Sequence, residues 1–149
     1  MRARLTLLVA ALVMLVAALS GVAGAAEGGG QKIYVEASIN PEPPVVRPHA
    51  ILLSGDGTFS LYAIKYQSYG GPVATATGRA YVRGCTPNCA QGKVNRPRAT
   101  IRLSQVKTCE GKLLYTRLKY SLTGTIPNGF KRQGSVDLTP FNEKGKPVC

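Results

Sequence analysis

Few side chains in this 149-residue sequence have the types and spacing that chemistry demands. His49 is the single histidine, so a histidine-rich metal centre has no ligands, and a Ser-His-Asp triad would have to be built around this one ring. It lies between Pro48 and Ala50 with no partner nearby in sequence, and a general base needs a positioned partner. A glycosidase-like pair needs two carboxyl groups held at a fixed separation. Asp56 reads as a turn residue, Glu110 belongs to the turn Cys109-Glu110-Gly111-Lys112, and Asp137 sits on a strand among polar neighbours. Gly70-Gly71-Pro72 lacks the Lys and Ser/Thr of a phosphate-cradling loop and opens no helix. No catalytic residue, metal ligand or cofactor is assigned.

The four cysteines, Cys85, Cys89, Cys109 and Cys149, are even in number, as two disulfides of an exported chain would be. Structural zinc favours two close pairs, and here only Cys85 and Cys89 are close. Four cysteines allow three pairings. The tight turn favours Cys85–Cys89, which leaves Cys109 to tie down Cys149 at the C-terminus.

Charge is the other chemical signal. The chain has 19 Lys+Arg against 7 Asp+Glu, a formal net charge of +12. Between Lys65 and Arg132 the cations are many and Glu110 is the one acid. Such a field attracts polyanions such as cell-wall phosphate polymers, acidic polysaccharides, anionic lipid or nucleic acid. The basic stretch Lys93, Arg96 and Arg98 is the sharpest candidate for meeting an anion. Tyr66, Tyr69, Arg79 and Arg83 extend it into a mixed aromatic and basic surface, to which Tyr62, Tyr81, Tyr115, Arg102, Arg117 and Lys119 also contribute. Tyrosine rings stack on sugars or bases, and cations hold phosphate or carboxylate. Tyrosines in such positions are also common as sheet core, and a charge run is also met as a merely solvated face.

These residues must be positioned by strands. Residues 1–26 read as a helical signal peptide: Arg2 and Arg4, an apolar run over residues 5–19, then small residues suited to cleavage near Ala25 or Ala26. An uncleaved membrane anchor is the alternative, since about 20 apolar residues can cross a bilayer. Residues 27–49 form a leader arm, flexible at Gly28-Gly29-Gly30 and Pro-rich over 40–49, where the prolines demand an extended or edge path. A strand over 32–39 is also written there. Residues 50–149 make the basic, disulfide-stabilised β domain. The Asp56-Gly57 hairpin signal leads into residues 58–66, with Phe59, Leu61 and Ala63 set opposite Ser60, Tyr62 and Ile64. Residues 73–83 alternate most cleanly, with Ala74, Ala76, Gly78, Ala80 and Val82 on one face and Thr75, Thr77, Arg79, Tyr81 and Arg83 on the other. So small a face implies close approach of another sheet or of large aromatics. Residues 99–106 turn Ala99, Ile101 and Leu103 inward, and 113–122 set Leu114, Thr116, Leu118 and Tyr120 against Tyr115, Arg117 and Lys119. Pro127-Asn128-Gly129 is a turn before a last strand over 134–141. Six or seven short strands without a helix predict an all-β fold, a small antiparallel sandwich or barrel.

At Tyr66-Gln67-Ser68-Tyr69-Gly70-Gly71, on the small face Ala74/Gly78 and at Cys85-Thr86-Pro87-Asn88-Cys89-Ala90-Gln91-Gly92, the chain resembles small secreted disulfide-containing proteins from high-GC Gram-positive bacteria (actinobacteria). In that set Trp or Tyr brackets the Gly pair, and a later Cys-x-Gly is followed by an aromatic, as Cys109-Glu110-Gly111 and Tyr115 stand here. Tyr replaces a common Trp. The resemblance covers roughly residues 51–125; it implies a secreted β domain and no particular activity.

The expectation is a secreted or cell-envelope-associated, non-enzymatic binding module for an anionic envelope polymer or a protein partner. It implies no sequence-specific nucleic acid, and no membrane contact beyond an uncleaved leader. The alternatives are a proteinase inhibitor presenting the Cys85–Cys89 turn with the basic loop that follows it, through Lys93 or Arg96, and, further off, a hydrolase using His49 or Asp137.

Overall fold

The structure is a computed structural model, and it describes residues 31–38, 42–142 and 144–149. The expected signal peptide over 1–26 and the glycines that follow it lie outside the described residues. Eight strands follow in order: β1 (Ile33–Val35), β2 (Ala50–Leu52), β3 (Phe59–Ser68), β4 (Ala74–Arg83), β5 (Val94–Asn95), β6 (Arg98–Cys109), β7 (Lys112–Thr123) and β8 (Gln133–Asp137). They form one curled sheet in the order β1-β7-β6-β4-β3-β2, with β5 beside β4 and β8 beside β7. The all-β class expected from the sequence is what forms, as one half-barrel rather than two facing sheets. The additional strand is β5, inside the basic stretch read as a loop. All pairings are antiparallel except that of β1 with β7, which is parallel. The sheet curls far enough for Leu52 N on β2 to donate to Ala37 O, just past β1, at 2.9 Å.

Part of the expected leader arm, Ile33–Val35, is a strand of the sheet. Ile33 and Val35 are buried core residues, and Val45 exchanges two backbone hydrogen bonds with Val35, at 2.8 and 3.0 Å. Over residues 42–49 the Pro-rich segment takes an extended path at the edge and is laced onto the domain.

Burial alternates along β4, where Ala74, Ala76, Ala80 and Val82 are buried. A close approach does occur at Gly78, but neither another sheet nor a large aromatic makes it. A Cβ there would stand 2.9 Å from Tyr62 O and 3.4 Å from Ile64 Cα, so the approaching group is the neighbouring strand's own backbone. That backbone is displaced by Ala63, which has φ 51° and shifts the β3–β4 register between Tyr62 and Lys65. One extra residue turns the side-chain order over. Phe59 and Leu61 point inward before it and Ile64 after it, while Ala63, expected inside, is exposed.

The same inversion occurs at Gln105, with φ 57°. Ala99, Ile101 and Leu103 are buried before it, whereas Val106 packs against the core after it. The facing strand turns over with it: Leu118 and Leu122 are core residues, and so is Tyr115. The hydroxyl of Thr116 donates to Gln105 O at 2.8 Å, replacing a ladder bond. Tyr115, expected on the outward surface, is thereby 0% exposed.

Two disulfides close the ends, Cys85–Cys89 and Cys109–Cys149, the pairing the turn favours. Two closed disulfides suit an oxidising, extracellular environment. Among the described residues no helix is long and apolar enough to cross a membrane.

Candidate functional site

The outward face of β4, β6 and β7 collects the charged and hydroxyl side chains that alternation pushes away from the core. The register arranges them in rows. Arg79 stands opposite Arg98, and Arg98 opposite Thr123. Thr77 faces Thr100, which faces Ser121. Thr75 faces Arg102, which faces Lys119. Directly opposed side chains have Cβ atoms about 4.5–5.5 Å apart, where like charges repel. Two of the three rows thus hold a like-charged pair side by side.

Strands β3 to β8 carry a single carboxylate, Asp137. It pairs with Arg117 at 3.4 Å on the far side of the face. The Thr139 hydroxyl and amide hold its carboxyl below the usual range, with Arg117 adding a smaller pull. Asp56, on the β2–β3 turn, accepts from Thr58 N at 3.0 Å and Thr58 Oγ1 at 2.7 Å. Both carboxylates are occupied in turn-capping, and Glu110, with φ 47°, forms with Gly111 the two-residue turn between β6 and β7. The His49 carbonyl accepts from Ile64 N at 3.1 Å, which ties that part of the arm to β3.

At one end of the face the rows run into an open pocket of about 470 Å³, lined by Arg79, Asn95, Arg96, Pro97, Arg98, Thr123, Gly124 and Thr125. β5 and the short link to β6 deliver Arg96, β6 begins with Arg98, and β7 ends at Thr123. Arg96 lies over the Tyr81 ring, 5.8 Å from its centroid. Arg83 lies 5.7 Å from the same centroid and donates to the Tyr81 hydroxyl at 2.6 and 3.1 Å. The Arg83 Nη1 also donates to Ala90 O at 2.8 Å, holding the Cys85–Cys89 loop. Arg132, outside the lining, donates to Gly124 O at 2.9 Å. An arginine on an aromatic face is held in a preferred orientation while its edge donors stay available.

The structure divides the residues singled out from the sequence. Arg79, Arg96 and Arg98 come together in the pocket. Arg83 borders it through Tyr81. Lys93 is exposed outside the lining, and its carbonyl accepts from Gly84 N at 3.0 Å. Tyr66 and Tyr69 lie outside the pocket lining, in an aromatic cluster with structural hydrogen bonds. Their rings meet edge-on at 4.9 Å, and Tyr69 meets Tyr115 at 5.5 Å. Tyr66 donates to Pro48 O at 3.1 Å, Tyr69 to Ile33 O at 2.7 Å and Tyr115 to Gly71 O at 2.7 Å. Arg47 N donates to the Tyr69 hydroxyl at 3.0 Å. Burial pushes all three phenols above their ordinary pKa. The cluster pins the arm to the sheet.

Protein-family models, curated proteins and solved structures were all compared with the chain, and none matches. Thr123, Gly124, Thr125 and Arg132 were not singled out in the sequence. Continuing the alternation of β7 would have placed Thr123 outward, but the turn that adds Thr125 and Arg132 carries no such signal.

Proposed function

We propose that this chain is an exported, non-enzymatic module that binds an anionic polymer of the cell envelope through the outward face of β4, β6 and β7. The observation that carries the reading is the register itself. It places Arg79 beside Arg98 and Arg102 beside Lys119, on strands with one carboxylate at their margin. Holding like charges in contact costs stability, and a polyanion laid along the rows would turn that cost into attraction. The threonines and serines between them donate and accept hydrogen bonds, as a phosphate- or carboxylate-bearing chain of sugars or polyols requires. The leader over 1–26, the two disulfides and the resemblance to secreted actinobacterial proteins all favour work outside the cytoplasm.

The inhibitor reading fits less well. Such a loop must offer an extended, free segment to a protease, whereas residues 86–91 run mainly through bends and turns. Arg83 ties their end back at Ala90 O at 2.8 Å, and the basic stretch that follows is paired to β4 at Val94 and Asn95. The deciding experiment is binding of the protein to anionic and neutral envelope polymers at rising salt. Selective binding that falls steeply with salt and weakens in Arg102→Ala/Lys119→Ala supports the module. Binding no stronger than that of an unrelated protein of equal charge rejects it, and a screen against trypsin-like proteases then tests the alternative.

A further inference from the structure

Arg79, Arg96 and Arg98 differ from the other cations of the face. They line a cavity with Thr123 and Thr125, and among the described residues their guanidiniums meet no carboxylate and no hydrogen-bond acceptor. Arg83, Arg117 and Arg132, by contrast, each donate to a protein oxygen. A guanidinium carries five N–H donors in a planar fork, so the pocket has a dense set of uncommitted donors and two hydroxyls. Its walls are braced. Arg96 rests on Tyr81, Arg98 and Arg79 are locked opposite each other by the ladder, and Arg132 clamps the Gly124 carbonyl behind the lining.

We infer that this pocket is the seat of one tetrahedral oxyanion, a phosphate or sulfate group. A carboxylate is planar and saturates with two forks. A tetrahedral anion offers oxygens in three dimensions, which is what guanidiniums arriving from β4, from the β5–β6 link and from β6 would meet, with threonine hydroxyls on the remaining side. The inference rests on the proposed polyanion face and deepens it: the rows attract a chain of charges, and the pocket selects the chemistry of one of them. The shared chemistry belongs equally to a free phosphate ion and to a phosphate group within a polymer.

The test uses the full chain expressed with its own leader, titrated by calorimetry at constant ionic strength with inorganic phosphate, sulfate and acetate. Parallel arms use long-chain polyphosphate and polygalacturonate. Phosphate and sulfate should each bind at one site per chain, and acetate should bind at least tenfold more weakly. Arg96→Ala and Arg98→Ala should each weaken phosphate about tenfold or more, since charge-assisted bonds are the strong ones, and Thr125→Val should weaken it by less. Arg102→Ala/Lys119→Ala should leave free phosphate unchanged while weakening polyphosphate. A far-ultraviolet circular dichroism spectrum matching the parent's confirms that each variant is folded. Polyphosphate binding that depends on Arg96 and Arg98, without measurable free phosphate binding, assigns the seat to a polymer-borne group. Polymer binding that ignores Arg79, Arg96 and Arg98 but needs Arg102 and Lys119 overturns the pocket and leaves the face standing. Equal binding of acetate and phosphate also overturns it. Absence of binding to every anion removes the face and the pocket together.

Discussion

Arg79 on β4 and Arg98 on β6 are direct cross-strand partners. A sheet selected for stability alone would place threonine or an acid at one of the two positions, because favourable cross-strand pairs contribute about 0.2–1 kcal/mol whereas opposed like charges are destabilising. Arg98→Thr should therefore be at least as stable as the parent at low ionic strength, by up to about 1 kcal/mol. The gap should shrink as salt shortens the Debye length towards about 8 Å. Denaturant melts at two salt concentrations measure this. A loss above about 1 kcal/mol at low salt would show that Arg98 is structural, against the range a repelling pair allows.

The tyrosine cluster gives a pH signature. Burial, the largest cause in each case, raises the phenol pKa of Tyr66, Tyr69 and Tyr115 above the ordinary 10.0. A group whose folded pKa is raised contributes stability that is intact below the unfolded value and is lost as pH climbs through the folded one. At the acid end Asp56 and Asp137 are lowered from 3.8, each mainly by a threonine hydroxyl, so their contribution is intact above that value and is lost as pH falls through the depressed ones. Tyrosinate absorbance of the buried phenols should appear only above pH 10, together with loss of the β-sheet circular dichroism signal. Buried phenols that ionise near pH 10 with the sheet spectrum unchanged would contradict the packing of the cluster.

Most of β4 and the first half of β6 could be read directly from the sequence, since Ala74, Ala76, Ala80 and Ala99, Ile101, Leu103 keep a strict period of two on one buried face. The turns at Asp56, Glu110 and Asn128 were equally visible in their glycines. The period fails where Ala63 and Gln105 adopt left-handed backbone, because these residue types announce no such conformation, and every side chain beyond them changes face. That is why Tyr115 was assigned to the surface. The pocket was half visible: Arg79, Arg96 and Arg98 stood out by charge. Their convergence depends on the β4–β6 register and on the turn after β7, neither of which sequence spacing encodes.

The bulge at Ala63 and the glycine it overhangs form a testable pair. With φ 51°, Ala63 pays the left-handed penalty of roughly 1–2 kcal/mol that glycine avoids. Ala63→Gly should be neutral to stabilising, and the β-branched Ala63→Val should cost about 2 kcal/mol or more. Gly78→Ala should cost about 1–3 kcal/mol, because its methyl would meet the backbone oxygen of Tyr62 at 2.9 Å and not a movable side chain. Urea unfolding of the three variants checks all of this. Ala63→Val as stable as the parent would mean that the strand can straighten and that the face inversion is not fixed at this residue.

The two disulfides should differ in weight. Cys85–Cys89 closes a separation of 4 residues and Cys109–Cys149 one of 40. Loop-closure entropy assigns about 2 kcal/mol to the first and about 4 kcal/mol to the second, as restraints on the unfolded chain. The larger bridge also fastens a tail that has its own turn, in which Asn142 N donates to Lys146 O at 2.9 Å and Val148 N to Pro140 O at 3.1 Å. Cys109→Ser/Cys149→Ser should therefore lower the urea midpoint by roughly twice the shift of Cys85→Ser/Cys89→Ser. The smaller loop stands next to the proposed anion seat, joined to it through Arg83, Tyr81 and Arg96. Opening it should loosen that stack and weaken phosphate several-fold, while opening the larger one should spare phosphate binding in the fraction that stays folded. Equal stability losses would show that the entropy of the unfolded chain is not what separates the bridges. Phosphate binding unchanged by Cys85→Ser/Cys89→Ser would show that the Tyr81 stack holds its shape without the loop.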